Sequence, residues 1–246
     1  MKVSDEVCIK LQKAIFKGEY PPHSRFPSER ELAATYQVSR PVIREAVAKL
    51  AQLGLVETRP QSGTYVSDFQ TEGSIDLLIH IMKSRGAFDS EILISLFKIR
   101  RMAESFMAYE AALQATPNDV AALKDAGDAL VKTIRTMPHD MTHLSELDFT
   151  FHAVLARTSR NIVSQLLFNS FKPVYKYYAD YYYSLADTHP VTIQFVTDLL
   201  SAVSNRDGDR AEDIMREAII FSEERLIETL GLREANRTTT LSSGKQ

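Results

Sequence analysis

Apolar positions in the first 66 residues fall into three short helical periods, followed by two short alternating runs. Val7, Leu11, Ala14 and Ile15 share one helix face, so a helix is expected over about 4–17, capped by Ser4 and stopped by Gly18. Pro21, Pro22 and Pro27 break the loop that follows. Ser28 and Glu31 stand three apart, the spacing of a capping box, and Leu32, Ala33 and Tyr36 continue a short second helix. Ser39 caps a third helix, with Pro41 in its first turn, where no intrahelical N–H bond is lost. Ile43, Ala46, Val47 and Leu50 form its buried stripe, and Gly54 closes it. Residues 55–59 and 64–67, around Pro60-Gln61-Ser62-Gly63, read as a two-stranded hairpin. Three helices and a hairpin in this order are those of a winged helix.

Residues 68–74 are polar and are taken as a linker. Beyond them the periodicity is helical throughout. Ile75, Leu78, Ile79 and Met82 share a face. Ile92, Leu96, Ile99, Ala103, Phe106 and Leu113 predict a long helix over 89–115, with that stripe turned toward a bundle. Val120, Leu123, Leu130 and Ile134 mark another helix, and Leu144, Leu147, Phe151, Val154 and Leu155 a further one. An aromatic segment over 161–184 and two more helices over 190–205 and 209–230 bring the total to about seven, before a polar tail from Arg233. The fold class is mainly α: a winged helix-turn-helix domain over 1–69 and an all-α bundle over 75–232.

Composition narrows the function. The chain has 246 residues and one cysteine, Cys8, which excludes an internal disulfide and a cysteine-cluster zinc site. The first ten residues are charged, and no stretch approaches 18 uninterrupted apolar residues, so neither a signal peptide nor a membrane span is expected, and a cytoplasmic location is. The net charge of −3 is unevenly spread. Residues 1–69 hold 10 Lys/Arg against 8 Asp/Glu, and residues 70–246 hold 19 against 24. The positive part is local, as expected where one end meets phosphate. Arg40 and Arg44 are four apart at the start of the third helix, the element that enters the major groove in a helix-turn-helix. Either arginine can donate bidentately to guanine. Ser39 and the helix N-terminus can hold a phosphate, Arg30 can reach the backbone or a base, and Gln61, Ser62, Gly63 and Thr64 form a wing tip for the minor groove.

The run PSERELAATYQVSRPVIREAVAKLAQLGLVETRPQSGTYV, residues 27–66, resembles the DNA-binding domain of the GntR family. Pro41 and Val42 stand where that family usually has further polar residues, which leaves fewer side chains for base contacts. The bundle is similar to that of the FadR subfamily, through Ile99-Arg100-Arg101-x-x-Glu104, through Glu146-Leu147-Asp148-Phe149-x-Phe151-His152, and through the segment from Ala211 to Met215. The resemblance implies a ligand-responsive transcriptional regulator, a repressor acting as a homodimer on operator DNA. Many members bind a metal with one aspartate and three histidines. Asp148 and His152 match the first two, while Val196 and Ala218 stand at the other places, so no metal or other cofactor is expected. A buried Asp148–His152 pair is the plain alternative to a metal site, and a metal-dependent enzyme built on that pair is the competing function. Six tyrosines fall within residues 175–183, and Tyr175, Tyr178 and Tyr182 share a helix face. With Arg100, Asp148 and His152 they are the expected ligand site, for acyl-CoA first and a small organic acid second. Internal pairing of Arg100 with Glu104, and tyrosines used as plain core, are the simpler uses of the same residues.

Overall fold

The computed structural model describes residues 2–74, 77–78, 90–229 and 231, the side chains of 90–92 and 173 excepted. They fall in two compact units, 1–86 and 87–246. The first contains α1 (Val3–Phe16), α2 (Glu29–Tyr36), α3 (Arg40–Gln52), β1 (Val56–Arg59), β2 (Gly63–Val66) and a single turn, α4 (Phe69–Glu72). β1 and β2 pair antiparallel, Val56 opposite Val66 and Arg59 opposite Gly63. Leu11, Leu32, Ile43, Ala46, Leu50 and Leu55 are fully buried, so the three predicted helical stripes meet in one small core.

The capping box forms as its spacing demands: Ser28 Oγ accepts from the Glu31 N–H, and Glu31 accepts from the Ser28 N–H at 2.8 Å. Other local expectations shift. Lys2, not Ser4, occupies the cap of α1, because Asp5 accepts the Lys2 N–H and draws Ser4 into the first turn, where it is buried. Ser39 does cap α3 by its backbone, but its side chain makes no capping bond. Val47 is half-buried rather than core, since it borders an open concavity. The segment expected as irregular linker holds the α4 turn, initiated by Asp68 accepting the Gln70 N–H.

The second unit is helical in all its described elements: α5 (Ser90–Gln114), α6 (Pro117–Thr136), α7 (Met141–Thr158), α8 (Ile162–Ser170), α9 (Lys172–Tyr183), α10 (Thr188–Ser204) and α11 (Gly208–Thr229). The helix expected around 75–82 lies outside the described residues, apart from Leu77 and Leu78. The aromatic segment splits into α8 and α9 at Phe171, where Pro173 begins a new first turn. α5 packs along α11, α7 lies against α6 and α9, and α10 sits between α6 and α11. Among the described residues no helix is long and apolar enough to cross a membrane.

One predicted face is corrected. Ile99, Phe106 and Leu113 of α5 are exposed, and the side packed into the bundle carries Leu93, Phe97, Glu104, Met107, Ala108 and Ala111. This helix is apolar on two faces, so periodicity alone cannot choose between them. Gly208 at the start of α11 leaves room for Tyr109 and the partly exposed Leu113 of α5.

Candidate functional site

The two units present two sites of opposite character. In the first, the loop before α2, helices α2 and α3, and the wing enclose a concavity of about 1,050 Å³. Its lining includes Arg25, Ser28, Glu29, Arg44, Thr58 and Thr64. Arg44 Nε and Nη2 each donate to Glu29 at 3.0 Å, and the arginine side chain remains 70% exposed. That hydrogen-bonded guanidinium holds the Glu29 carboxyl below its ordinary range. Arg30 and Arg40 are exposed and make no ion pair among the described residues. Arg44 is thus paired to Glu29, fifteen residues away in the chain, rather than to its neighbour Glu45.

Arg25 was not among the expected contacts. It enters because residues 23–26 run alongside β2: the His23 N–H donates to Val66 O, the Val66 N–H to Ser24 O, and the Phe26 N–H to Thr64 O. Buried Phe26 anchors this strip, and Arg25 is left exposed against the wing. Gly63 has φ +117° and a side chain there would press on Arg25 Nε at 3.2 Å. The alternation of Ser24, Arg25 and Phe26 was the available signal, hidden by the flanking prolines. At the wing tip, Gln61 adopts φ +62°, and Ser62 Oγ lies 2.9 Å from Tyr65 Oη, so the tip is held from within. The surface offers separated guanidinium groups, hydroxyls and the open N–H end of α3, which suits phosphate and base edges.

The second site is a cavity of about 60 Å³ among α5, α7, α9, α10 and α11. All six expected ligand residues line it: Arg100, Asp148, His152, Tyr175, Tyr178 and Tyr182. Thr192, Phe195, Ala218 and Ser222 complete much of the wall. Arg100 Nε donates to Glu104 Oε1 at 2.5 Å, and the two side chains are 14% and 3% exposed. The guanidinium also lies 4.8 Å from the ring centre of Tyr175 and 5.7 Å from that of Tyr178. Tyr175 Oη donates to Asp148 Oδ2 at 2.6 Å. His152 Nδ1 is 2.8 Å from Glu104 Oε2, within ion-pair distance but off a good hydrogen-bond line, and its ring is stacked between Phe168 and Phe195. Burial pushes the Glu104 carboxyl up, but Arg100 and His152 outweigh it and hold the group at about 2. Burial, then Asp148, pushes the Tyr175 phenol well up, so it stays a donor.

Arg100 is therefore paired internally with Glu104, the simpler of its two expected uses, while still facing the cavity. Glu104 belongs to the site and was legible only as the fourth position after Arg100. The residues do not fit a metal. His152 Nε2 and Asp148 Oδ1 are 4.0 Å apart, Asp148 is already bonded to Tyr175, and the nearby Glu104 carboxylate is taken up by Arg100 on the Nδ1 side of His152. Among the described residues, no group of three His, Cys, Asp or Glu could hold one. Ala218 does face the cavity, but Val196 points instead to Gly127 of α6, and Thr192 and Phe195 line that wall. His143 is exposed, and His189 bonds to Tyr183 O, so neither replaces the missing ligands.

With this geometry in place, comparison with known proteins is specific. The profile described as "Bacterial regulatory proteins, gntR family" matches residues 3–66, and that described as "FCD domain" matches residues 95–220. The chain is 31% identical over 175 residues to the HTH-type transcriptional regulator Mce2R of Mycobacterium tuberculosis, 71% of this chain and 70% of that one. It is 26% identical to the galactonate operon transcriptional repressor of Escherichia coli, over 92% of this chain and 97% of the relative. Identity to the fatty acid metabolism regulator protein of Shewanella putrefaciens is 27%, over 77% and 76%.

Proposed function

The chain belongs to the gntR family of bacterial regulatory proteins and is a DNA-binding transcriptional regulator with an FCD ligand-binding domain; we propose that it is a cytoplasmic homodimeric repressor controlled by a small hydroxylated carboxylate. The observation that carries the effector reading is the cavity around Arg100. Its lining contains one guanidinium, one carboxylate, and the hydroxyls of Tyr182, Thr192 and Ser222. A single carboxylate is attracted by Arg100. A second would meet Asp148, which instead accepts hydrogen bonds from hydroxyl groups. A volume of about 60 Å³ admits on the order of five water-sized groups. That favours a small hydroxy acid, the second expectation, over acyl-CoA, the first. Of the relatives named above, one carries galactonate, a hydroxylated carboxylate, in its name. The enzyme alternative lacks support, because the carboxylates beside His152 are already engaged, Asp148 by Tyr175 and Glu104 by Arg100.

On DNA, the reading assigns Arg40 and Arg44 to base edges in the major groove, with Arg25, Arg30 and Ser39 on phosphate and residues 61–64 of the wing in the minor groove. Arg44 would exchange Glu29 for a base or phosphate. Two half-sites require two copies. The test is a thermal-shift screen of hydroxy acids, sugar acids and acyl-CoAs, followed by a gel shift on DNA upstream of the protein's own gene. A bound effector raises Tm by mass action, and the same compound should change operator affinity. A shift by acyl-CoA alone would overturn the small-acid reading.

A further inference from the structure

The cavity around Arg100 has a neighbour. Val191 and Phe195 of α10 and Ala218 of α11 line it, and the same three side chains line an open groove of about 440 Å³ between these two helices. A single layer of side chains therefore divides the two hollows. Phe195 stacks on the His152 ring at 5.7 Å, and Ala218 contributes only a methyl group. The groove has its own chemistry. Gln194 and Asp198 stand four apart on α10, and Arg210 and Glu217 seven apart on α11, so each pair shares a helix face. Pro190, Ile214 and Phe221 supply apolar surface beside them. Gln194 Nε2 donates to Asp198 Oδ1 at 2.8 Å, which leaves the amide oxygen and the second carboxylate oxygen free to accept. Arg216 is turned to Glu212 and Asp213, and Arg210 and Glu217 make no ion pair among the described residues. Amide, carboxylate and guanidinium groups beside apolar surface match a polyhydroxylated chain, whose O–H groups donate and accept and whose C–H faces are apolar. Two carboxylates against one guanidinium disfavour a second acid group there.

We propose that this α10–α11 groove is an outer subsite of the effector site, holding the neutral hydroxylated tail of a sugar acid whose carboxylate lies at Arg100. The inference rests on the hydroxy-acid reading and specifies it. Size calls for the second compartment. The inner cavity, at about 60 Å³, admits on the order of five water-sized groups. A carboxylate with its neighbouring carbon and hydroxyl accounts for them. A six-carbon sugar acid has about thirteen non-hydrogen atoms, so its remainder must leave the cavity. The chain passes beside Ala218, the smallest side chain of the dividing layer. Gln194, Asp198, Arg210 and Glu217 then meet the hydroxyls that the inner cavity cannot hold.

The experiment is isothermal titration of the full-length chain with hydroxy acids of graded length. Glycerate, at three carbons, is close to the limit of the inner cavity, while gluconate and galactonate reach the groove. The better of these two should bind about ten-fold tighter than glycerate, or more, the gain of one or two net hydrogen bonds. Its diacid, glucarate or galactarate, differs by a carboxylate at the far end and should lose that gain. Gln194→Ala combined with Glu217→Ala changes two exposed side chains, so the melt should hold. The ratio of six-carbon to three-carbon affinity should then fall toward one. Ala218→Leu, which thickens the dividing layer, should lower the same ratio. Glycerate binding with no gain for either six-carbon acid, or a gain that survives either variant, overturns the outer subsite and leaves the hydroxy-acid reading standing. A diacid that binds tighter than its monoacid overturns the neutral tail. Binding of none of these acids defeats the hydroxy-acid reading itself, and the subsite with it.

Discussion

Each unit contains an arginine–glutamate pair, and the two pairs behave oppositely because of where water is. Arg44 and Glu29 meet at a concave surface with the arginine 70% exposed. Arg100 and Glu104 meet inside the bundle at 14% and 3% exposure. At the surface, solvent screens the pair and competes for both partners, so the bond gives way cheaply to a DNA phosphate or base. In the bundle, neither charge can return to water, so breaking the pair strands a buried ion. A recognition surface needs the first kind of pair. A cavity that must stay shaped without ligand needs the second.

The sharpest way to break this contrast is at Glu104. Glu104→Met should lower stability by about 3–5 kcal/mol in urea denaturation, because Arg100 is left buried without its carboxylate. Arg100→Met combined with Glu104→Met should recover most of the loss, since removing both charges removes the penalty. A single variant as stable as wild type would mean that the buried pair is as dispensable as the surface one.

Acid should separate the two pairs next. Glu104 is held at about 2, below its ordinary 4.5. A depressed carboxylate stabilises the fold fully above its unfolded value, and the contribution fades as pH falls from about 4.5 toward 2. Through linkage the loss is on the order of 3 kcal/mol. Urea titrations across that window should show it in the wild type. Glu104→Gln, which has no proton to take up, should have a flatter profile.

The remaining tests lie on the DNA side. Arg44→Ala should weaken specific operator binding about ten- to a hundred-fold in fluorescence anisotropy at fixed salt, with a normal melt, because Ile43, Ala46 and Leu50 keep the α3 core intact. Unchanged affinity with unchanged sequence preference would remove Arg44 from base readout. The smallest effect belongs to Glu29→Gln. It should move Tm by no more than about 2 °C and leave operator binding equal or tighter, since it frees Arg44 from an exposed partner.

Much of this was written in local pattern. The capping box at Ser28 and Glu31 needs only neighbours three residues apart, and it formed. Tyr175, Tyr178 and Tyr182 share a face through helix geometry alone, and all three reach the cavity. The spacing of Arg100 and Glu104 already contained their pairing. Arg25 was less legible, because its place depends on a strip of backbone bonding to β2, 40 residues away at Tyr65.

The sequence by itself determined the order of elements, the winged-helix unit, the helical bundle, and the residue types available at each site. These depend on propensity, caps and periodicity, which act within a few turns of chain. Tertiary structure alone decided which apolar face of α5 is core, since both satisfy a helical period and the face carrying Leu93, Phe97, Met107, Ala108 and Ala111 is the one that is buried. It also decided that Val196 serves the core beside Gly127 while Thr192 and Phe195 line the cavity, and that Arg44 meets Glu29 across fifteen residues. Those choices depend on which surfaces exclude water from one another, and that is fixed only when distant segments pack.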